Sequence, residues 1–104
     1  MYPLLGYMSV VINRVIITDG AKKDLRRAPA AVAEKLYAWV TAVSLVGLDE
    51  VRKIRGYDDH SLRGKRKGQR AIRLSLLWRA IYTLEKDDLK VQFVSLNEVT
   101  PHKY

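Results

Sequence analysis

The sequence contains no cysteine and only two histidines, His60 and His102. The missing thiols exclude disulfide bonds, thiolate metal ligands and a cysteine nucleophile, and they fit a protein of the reducing cytoplasm. Two histidines do not make a histidine-rich metal site. The sequence therefore predicts a cytoplasmic protein that uses neither a metal ion nor another cofactor.

Long apolar runs are missing as well. Residues 1–11 are apolar but lack the early Lys or Arg of a signal peptide, and no stretch approaches the roughly 18 apolar residues of a membrane span. We therefore expect no membrane partner. The 104 residues, 48% of them hydrophobic and 29% charged, predict one domain over 1–104, in which residues 1–8 form an extra leader.

Acidic residues are few beside the basic ones. Nineteen Lys and Arg face eleven Asp and Glu, which gives a formal net charge of +8. A domain with this charge attracts polyanions through phosphate contacts and counterion release. Nucleic acid is the favoured partner, although an acidic protein or an anionic surface also fits the charge alone.

The first half of the chain predicts one strand and two helices. β-Branched residues over 10–18 favour a strand, and Thr18 and Asp19 are suitable helix N-caps. A first helix is expected over 21–27, and Pro29 suits the start of a second. The second helix, over 30–46, is expected to end at Gly47 and to bury a stripe at spacings of three and four: Val32, Ala33, Leu36, Tyr37, Trp39, Val40 and Val43.

The second half predicts a sheet. A short helical turn or two is possible over 48–54, a basic glycine-bearing loop follows over 62–69, and strands are expected over 70–75, 77–84 and 90–96, with a hairpin turn at 86–88. Consecutive strands joined by tight turns indicate antiparallel pairing. We predict an α+β fold in which an N-terminal strand and two helices pack on a three- to four-stranded antiparallel sheet.

Seven cations fall within residues 63–79: Arg63, Lys65, Arg66, Lys67, Arg70, Arg73 and Arg79. A run of cations on a loop is usually just a solvated surface with no binding function. Arg73 and Arg79, however, are embedded in apolar strand sequence, where burying an unpaired cation is expensive. We expect both to emerge on a sheet face and to converge on one phosphate path. The nearby Trp78 and Tyr82 can stack bases or belong to the core.

The chain ends in a cluster of chemically active residues. Terminal residues often fray, but Glu98, His102, Lys103 and Tyr104 follow an apolar strand directly. RNA is cleaved when its 2′-hydroxyl attacks the adjacent phosphate, which needs a base, an acid and cations. His102 can serve as acid or base, Tyr104 can orient or protonate, and Lys103 can hold charge. Glu98 is either a base or an ion-pair partner of an arginine.

Several segments together resemble the RelE/ParE toxin superfamily, and within it the HigB-like, proteic killer branch. These segments are the GxRxGQ pattern of residues 64–69, the Trp78-Arg79 pair, the stretch 53–57 and the ending 98–104. The resemblance covers about half of the chain, from Arg52 to Tyr104. It implies the toxin of a type II toxin–antitoxin system, a ribosome-dependent mRNA endonuclease, and a cognate antitoxin of the helix-turn-helix kind.

The resemblance also implies roles for individual residues. Arg79 matches a phosphate-stabilising arginine, Arg73 the strand cation before it, and His102 a tail histidine that acts as acid or base. Tyr104 lies near the tail tyrosine of some members. RNA contacts are expected at Lys65, Arg66, Lys67, Arg70 and Lys103. Two features depart from the pattern: the adjacent Leu76 and Leu77, and the insertion of Lys103 between His102 and Tyr104.

Two other functions remain compatible with the sequence. One is a ParE-like inhibitor that binds DNA gyrase and cuts nothing, and the other is an inactive relative that only binds RNA. A single fold can carry each of them. The tail discriminates, because a pure binder has no need of His102 or Tyr104.

Overall fold

One five-stranded sheet organises the chain, in the order β1-β5-β4-β3-β2. The structure is a computed structural model and describes residues 11–101. The strands are β1 Val15–Ile17, β2 His60–Ser61, β3 Arg70–Arg73, β4 Trp78–Lys86 and β5 Gln92–Pro101. The helices are α1 Asp19–Arg27, α2 Ala30–Val46 and the short α3 Leu48–Val51.

The strand pairing confirms the predicted fold class. Strands β2 to β5 are consecutive and antiparallel. Strand β1 lies at the other edge and runs parallel to β5, with Ile16 opposite Ser95. Helix α1 joins the end of β1 to α2 and packs against β5. The result is an α+β domain whose N-terminal strand completes the sheet.

The helix boundaries follow the predicted capping residues. The Thr18 hydroxyl accepts a hydrogen bond from the backbone N–H of Ala21 (3.2 Å), which caps α1. Pro29 precedes α2, and Gly47 ends it with a φ of 87°, a conformation that favours glycine. Within the described residues, no helix is both long and apolar enough to cross a membrane.

Helix α2 buries Leu36, Trp39 and Val43 against the sheet, as its periodicity predicts. The prediction is wrong for Tyr37, which is 51% exposed. Trp39 packs on Tyr82, with 5.4 Å between the ring centroids. Tyr82 is fully buried and therefore a core residue, and Trp78 packs at the edge of the same core.

The first and last strands differ most in length from the prediction. Strand β1 is only three residues long, and β5 continues to Pro101, so residues 97–101 belong to a strand and not to a tail. The reason is a β-bulge: Ile81 faces Glu98, whereas the next residue, Tyr82, faces Leu96. The extra residue, Asn97, breaks the alternation that marks a strand in sequence.

Candidate active site

A cleft lies on the face of the sheet that points away from the helices. Side chains alternate between the two faces of a strand, so Ile72 and Ala80 enter the core while Ala71, Arg79 and Ile81 face the cleft. The space measures about 460 Å³. Its lining residues define what we call the sheet cleft: His60, Leu62, Arg66, Ala71, Arg79, Ile81, Glu98, Thr100 and Pro101.

Arg79 is held beneath the turn that joins β3 to β4. The residue is only 7% exposed. Its Nη1 donates to the carbonyl oxygens of Ser75 (2.9 Å), Trp78 (3.1 Å) and, at a longer distance, Leu76 (3.4 Å). None of the ion pairs among residues 11–101 includes Arg79. Its positive charge is therefore compensated by carbonyl dipoles and not by a carboxylate.

Arg73 lies directly opposite Arg79 on the neighbouring strand. The two arginines are thus brought together as expected, but they differ in environment, since Arg73 is exposed and Arg79 is not. Arg79 lies on the cleft face of the sheet, but its side chain is buried there, because the turn carbonyls supply its hydrogen-bond acceptors.

The basic loop forms one wall of the cleft. Gly64 and Gly68 have φ values of 65° and 94°, and a 3-10 turn spans Gly64–Arg66 between them. Lys65 and Lys67 are exposed on this loop. Arg66 reaches into the cleft, where its guanidinium donates to Gln69 Oε1 (2.8 Å).

Glu98 pairs with Arg66 across the cleft. Arg66 Nη1 lies 3.2 Å from Glu98 Oε2, and Nη2 lies 3.4 Å from Oε1. The sequence allowed Glu98 to be either a base or the ion-pair partner of an arginine, and in the structure it forms an ion pair. Both side chains remain partly exposed, at 48% and 37%, so solvent screens the pair.

His60 is a site residue that sequence reasoning missed. It lies on β2 opposite Ala71 and lines the sheet cleft. Its Nδ1 lies 2.7 Å from the backbone carbonyl oxygen of Asp58, which has a left-handed φ of 47°. A carbonyl oxygen only accepts hydrogen bonds, so Nδ1 is the donor, and in the neutral imidazole the free lone pair then belongs to Nε2. The only sequence signal was the presence of a second histidine beside the basic loop.

Arg70 lies outside the cleft, in a buried network. Its Nε donates to Asp59 Oδ1 (2.7 Å), and Tyr82 Oη donates to Asp59 Oδ2 (2.6 Å). The Asp59 side chain has no exposed surface. Burial alone lowers the pKa of Arg70, but the hydrogen bond and charge of Asp59 outweigh burial and raise it. Arg70 thus has a structural partner, and its RNA contact stays a prediction.

Burial also raises the pKa of the Tyr82 phenol well above its usual range, and the hydrogen bond to Asp59 raises it further. Tyr82 therefore stays protonated and keeps donating to Asp59. Because Asp59 directly precedes His60, the network fixes the start of β2 and with it the backbone that carries the histidine.

The tail residues His102, Lys103 and Tyr104 lie outside the described residues, so their predicted roles stay predictions. The residue before them, Pro101, ends β5, faces Trp78 across the sheet and lines the cleft. The first tail residue, His102, therefore directly follows a cleft residue in the sequence. Among residues 11–101, no group of three or more His, Asp or Glu is placed to bind a metal ion.

Comparisons with known proteins show which solved structures share this fold. No protein-family model matches the sequence, and no curated protein matches it with significance. Solved structures do match. The chain has the fold of RelE/ParE superfamily toxins, as its sequence resemblance implies. The finer HigB-like assignment stays a prediction.

Three of these structures illustrate the likeness. The YoeB/ParE toxin from Agrobacterium tumefaciens is 14% identical with a TM-score of 0.60, over 86% of this chain and 99% of that one. The archaeal RelE–RelB complex from Pyrococcus horikoshii is 20% identical with a TM-score of 0.62, over 85% and 92%. The E. coli DinJ–YafQ complex is 20% identical with a TM-score of 0.62, over 85% and 91%. At these identities the likeness establishes the fold.

Proposed function

We propose that this protein is the toxin of a type II toxin–antitoxin system and that it cleaves mRNA on the ribosome without a metal ion. The observation that supports it most is Arg79, a nearly buried cation with no carboxylate partner among residues 11–101, in a cleft that also contains His60. The carbonyl dipoles that hold Arg79 carry no net charge, so a phosphate in the cleft can add the opposite charge that this cation lacks. The ribosome dependence rests on the sequence resemblance.

The chemistry needs one base and one acid. The base removes the proton of the 2′-hydroxyl, whose oxygen forms a bond to the adjacent phosphorus. The bond from phosphorus to the 5′-oxygen then breaks, and the acid gives that oxygen a proton, which leaves a 2′,3′-cyclic phosphate. We assign the base to Nε2 of His60, because the bond from Nδ1 to Asp58 leaves its lone pair free. We assign the acid to His102, which follows the cleft residue Pro101.

The cations have separate roles in this scheme. Arg79 stabilises the charge that develops on the phosphorane oxygens, and the neighbouring Arg73 adds a second positive charge at its side. Tyr104 orients the leaving group. The exposed Lys65 and Lys67, with Lys103 in the tail, bind RNA phosphates outside the reacting bond. Arg66 lies between the arginines of the reacting phosphate and the lysines that bind the rest of the RNA, and it forms an ion pair with Glu98.

An antitoxin is the second partner of this scheme. The similar structures include complexes of a toxin with its antitoxin, among them one from Mycobacterium tuberculosis and one from E. coli. We propose that a cognate antitoxin, with a helix-turn-helix domain, covers the sheet cleft with an acidic segment. A complex that leaves Arg79 and Arg73 uncovered contradicts this part of the proposal.

A translating extract tests the nuclease. Purified protein is expected to cut message at codon-phased positions, and Arg79→Ala or His102→Ala is expected to lower the rate by about 10²-fold or more. Arg26→Ala is the matched control, since it removes one exposed arginine from α1 on the helix side. Intact message together with inhibited gyrase supports the ParE-like alternative. RNA that is bound with steep salt dependence but left uncut supports an inactive relative.

A further inference from the structure

In the turn between β3 and β4, the leucine side chains are exposed, whereas backbone carbonyl groups contact Arg79. The side chains of Leu76 and Leu77 point to solvent, at 74% and 56% exposed. The carbonyl groups of Ser75, Leu76 and Trp78 instead converge on Nη1 of Arg79. The turn therefore presents three acceptors to one nitrogen of a nearly buried guanidinium.

The two sides of the Arg79 guanidinium group therefore differ in their hydrogen bonding. A guanidinium has five N–H donors in a fixed plane. Within the described part of the chain, only Nη1 has hydrogen-bond acceptors. The Nε and Nη2 groups form the other edge, and two parallel donors of this kind match two oxygens of one phosphate. Clamping one edge fixes the direction of the other, because the group is planar.

The Ser75 hydroxyl closes the turn. Its Oγ accepts a hydrogen bond from the backbone N–H of Trp78 (3.2 Å). The backbone N–H groups of Leu74 and Ser75 donate in return to the Trp78 carbonyl oxygen, at 2.9 and 3.3 Å. Ser75 therefore contributes twice, through the hydroxyl that holds the turn and through the carbonyl that lies nearest to Nη1.

We propose that the Ser75–Trp78 turn is a clamp that turns the Nε–Nη2 edge of Arg79 toward the scissile phosphate, and that Ser75 is a positioning residue of the site. The inference rests on the proposed function, since it names how that site orients its arginine. It also accounts for the exposed leucines: the backbone geometry that sends the carbonyls inward sends these side chains outward.

A double-mutant cycle tests the clamp. Ser75→Ala is expected to weaken binding of a short RNA with a 2′-deoxy cleavage position by about three- to tenfold, the range of one hydrogen bond, and to lower cleavage at least as much. Ser75→Thr should restore both. In an Arg79→Lys background, Ser75→Ala should have no further effect, because a lysine ammonium offers no fork to orient. Arg79→Gln replaces the lysine variant if that variant does not fold.

The controls separate the clamp from general stability and from the proposed function. Ser44→Ala removes an exposed serine hydroxyl from α2, outside the clamp and the sheet cleft, and should bind and cleave as the parent does. Additive effects of Ser75 and Arg79 overturn the clamp, as does full RNA binding by a folded Ser75→Ala variant. If the parent protein binds RNA but never cuts it, the proposed nuclease activity is wrong. The double-mutant cycle on RNA binding still tests whether the turn orients Arg79. A parent that does not bind RNA overturns both.

Discussion

The phenolic Oη of Tyr82 donates a 2.6 Å hydrogen bond to Oδ2 of Asp59, and this bond joins the hydrophobic core to the strand that carries His60. The other carboxylate oxygen of Asp59 accepts from Arg70 Nε. A β-strand of two residues has little pairing of its own. The buried carboxylate therefore contributes much of what holds β2, and hence His60, at the edge of the cleft.

Removing this carboxylate is expected to be costly. Asp59→Ala leaves both Arg70 and Tyr82 without their partner and should lower the free energy of unfolding by about 3–5 kcal/mol, as breaking a buried pair does. Tyr82→Phe keeps the ion pair and should cost only about 1–3 kcal/mol. Urea unfolding followed by circular dichroism measures both. Equal losses for the two variants would show that the ion pair adds nothing.

Stability is expected to fall at alkaline pH. The pKa of Tyr82 is raised in the folded protein, so above pH 10, where a free phenol ionises, the unfolded state loses a proton that the folded state keeps. Unfolding then becomes more favourable as pH rises. The stabilising contribution is complete below about pH 10 and is lost above it. Burial raises the pKa of Tyr57 too, which adds to the same trend.

The matched pair for this experiment is Tyr82→Phe and Tyr37→Phe, since Tyr37 is half exposed. The first substitution should flatten the decline in unfolding free energy between pH 9 and 11 (about one unit on either side of the free phenol pKa). The second should leave it in place. A decline that persists unchanged in Tyr82→Phe contradicts the assignment.

Glutamine at position 60 tests the assigned base. His60→Gln is expected to lower the single-turnover rate of cleavage by about 10²-fold or more, because glutamine cannot accept the 2′-hydroxyl proton. RNA affinity should change little, since no phosphate contact is assigned to His60. An unchanged rate in His60→Gln would falsify the assignment of His60 as the base.

Glu98 allows a test of its own. If its role is the pair with Arg66, Glu98→Gln removes one negative charge from the cleft and should raise RNA affinity at low salt, with a rate of cleavage within about tenfold of the parent. Glu34→Gln, on the exposed surface of α2, is the charge-matched control. A loss of about 10²-fold or more in rate, with affinity intact, shows instead that Glu98 acts as a general acid or base.

Much of the fold could be predicted from the sequence because local signals were strong. The hydroxyl of Thr18, the ring of Pro29 and the missing side chain of Gly47 each determine a helix boundary through their own chemistry. The parallel pairing of β1 with β5 could not be predicted in the same way. It joins segments that are about eighty residues apart, and three residues of β1 carry no register information.

The site was harder to predict, for physical reasons. A periodic pattern shows which face of a strand a residue occupies, but the carbonyl clamp on Arg79 depends on the path of a turn. His60 escaped prediction because two residues of strand show no alternation. The bulge at Asn97 moved the end of β5 and made strand residues such as Glu98 look like a tail.

Primer extension on cellular mRNA after a short induction tests the central claim most directly. The parent protein should produce new 5′ ends at codon-phased positions within minutes, and these ends should be absent with Arg79→Ala and with His102→Ala and retained with Arg26→Ala. Growth arrest by the parent with intact message, or the same cuts in all four proteins, contradicts the account.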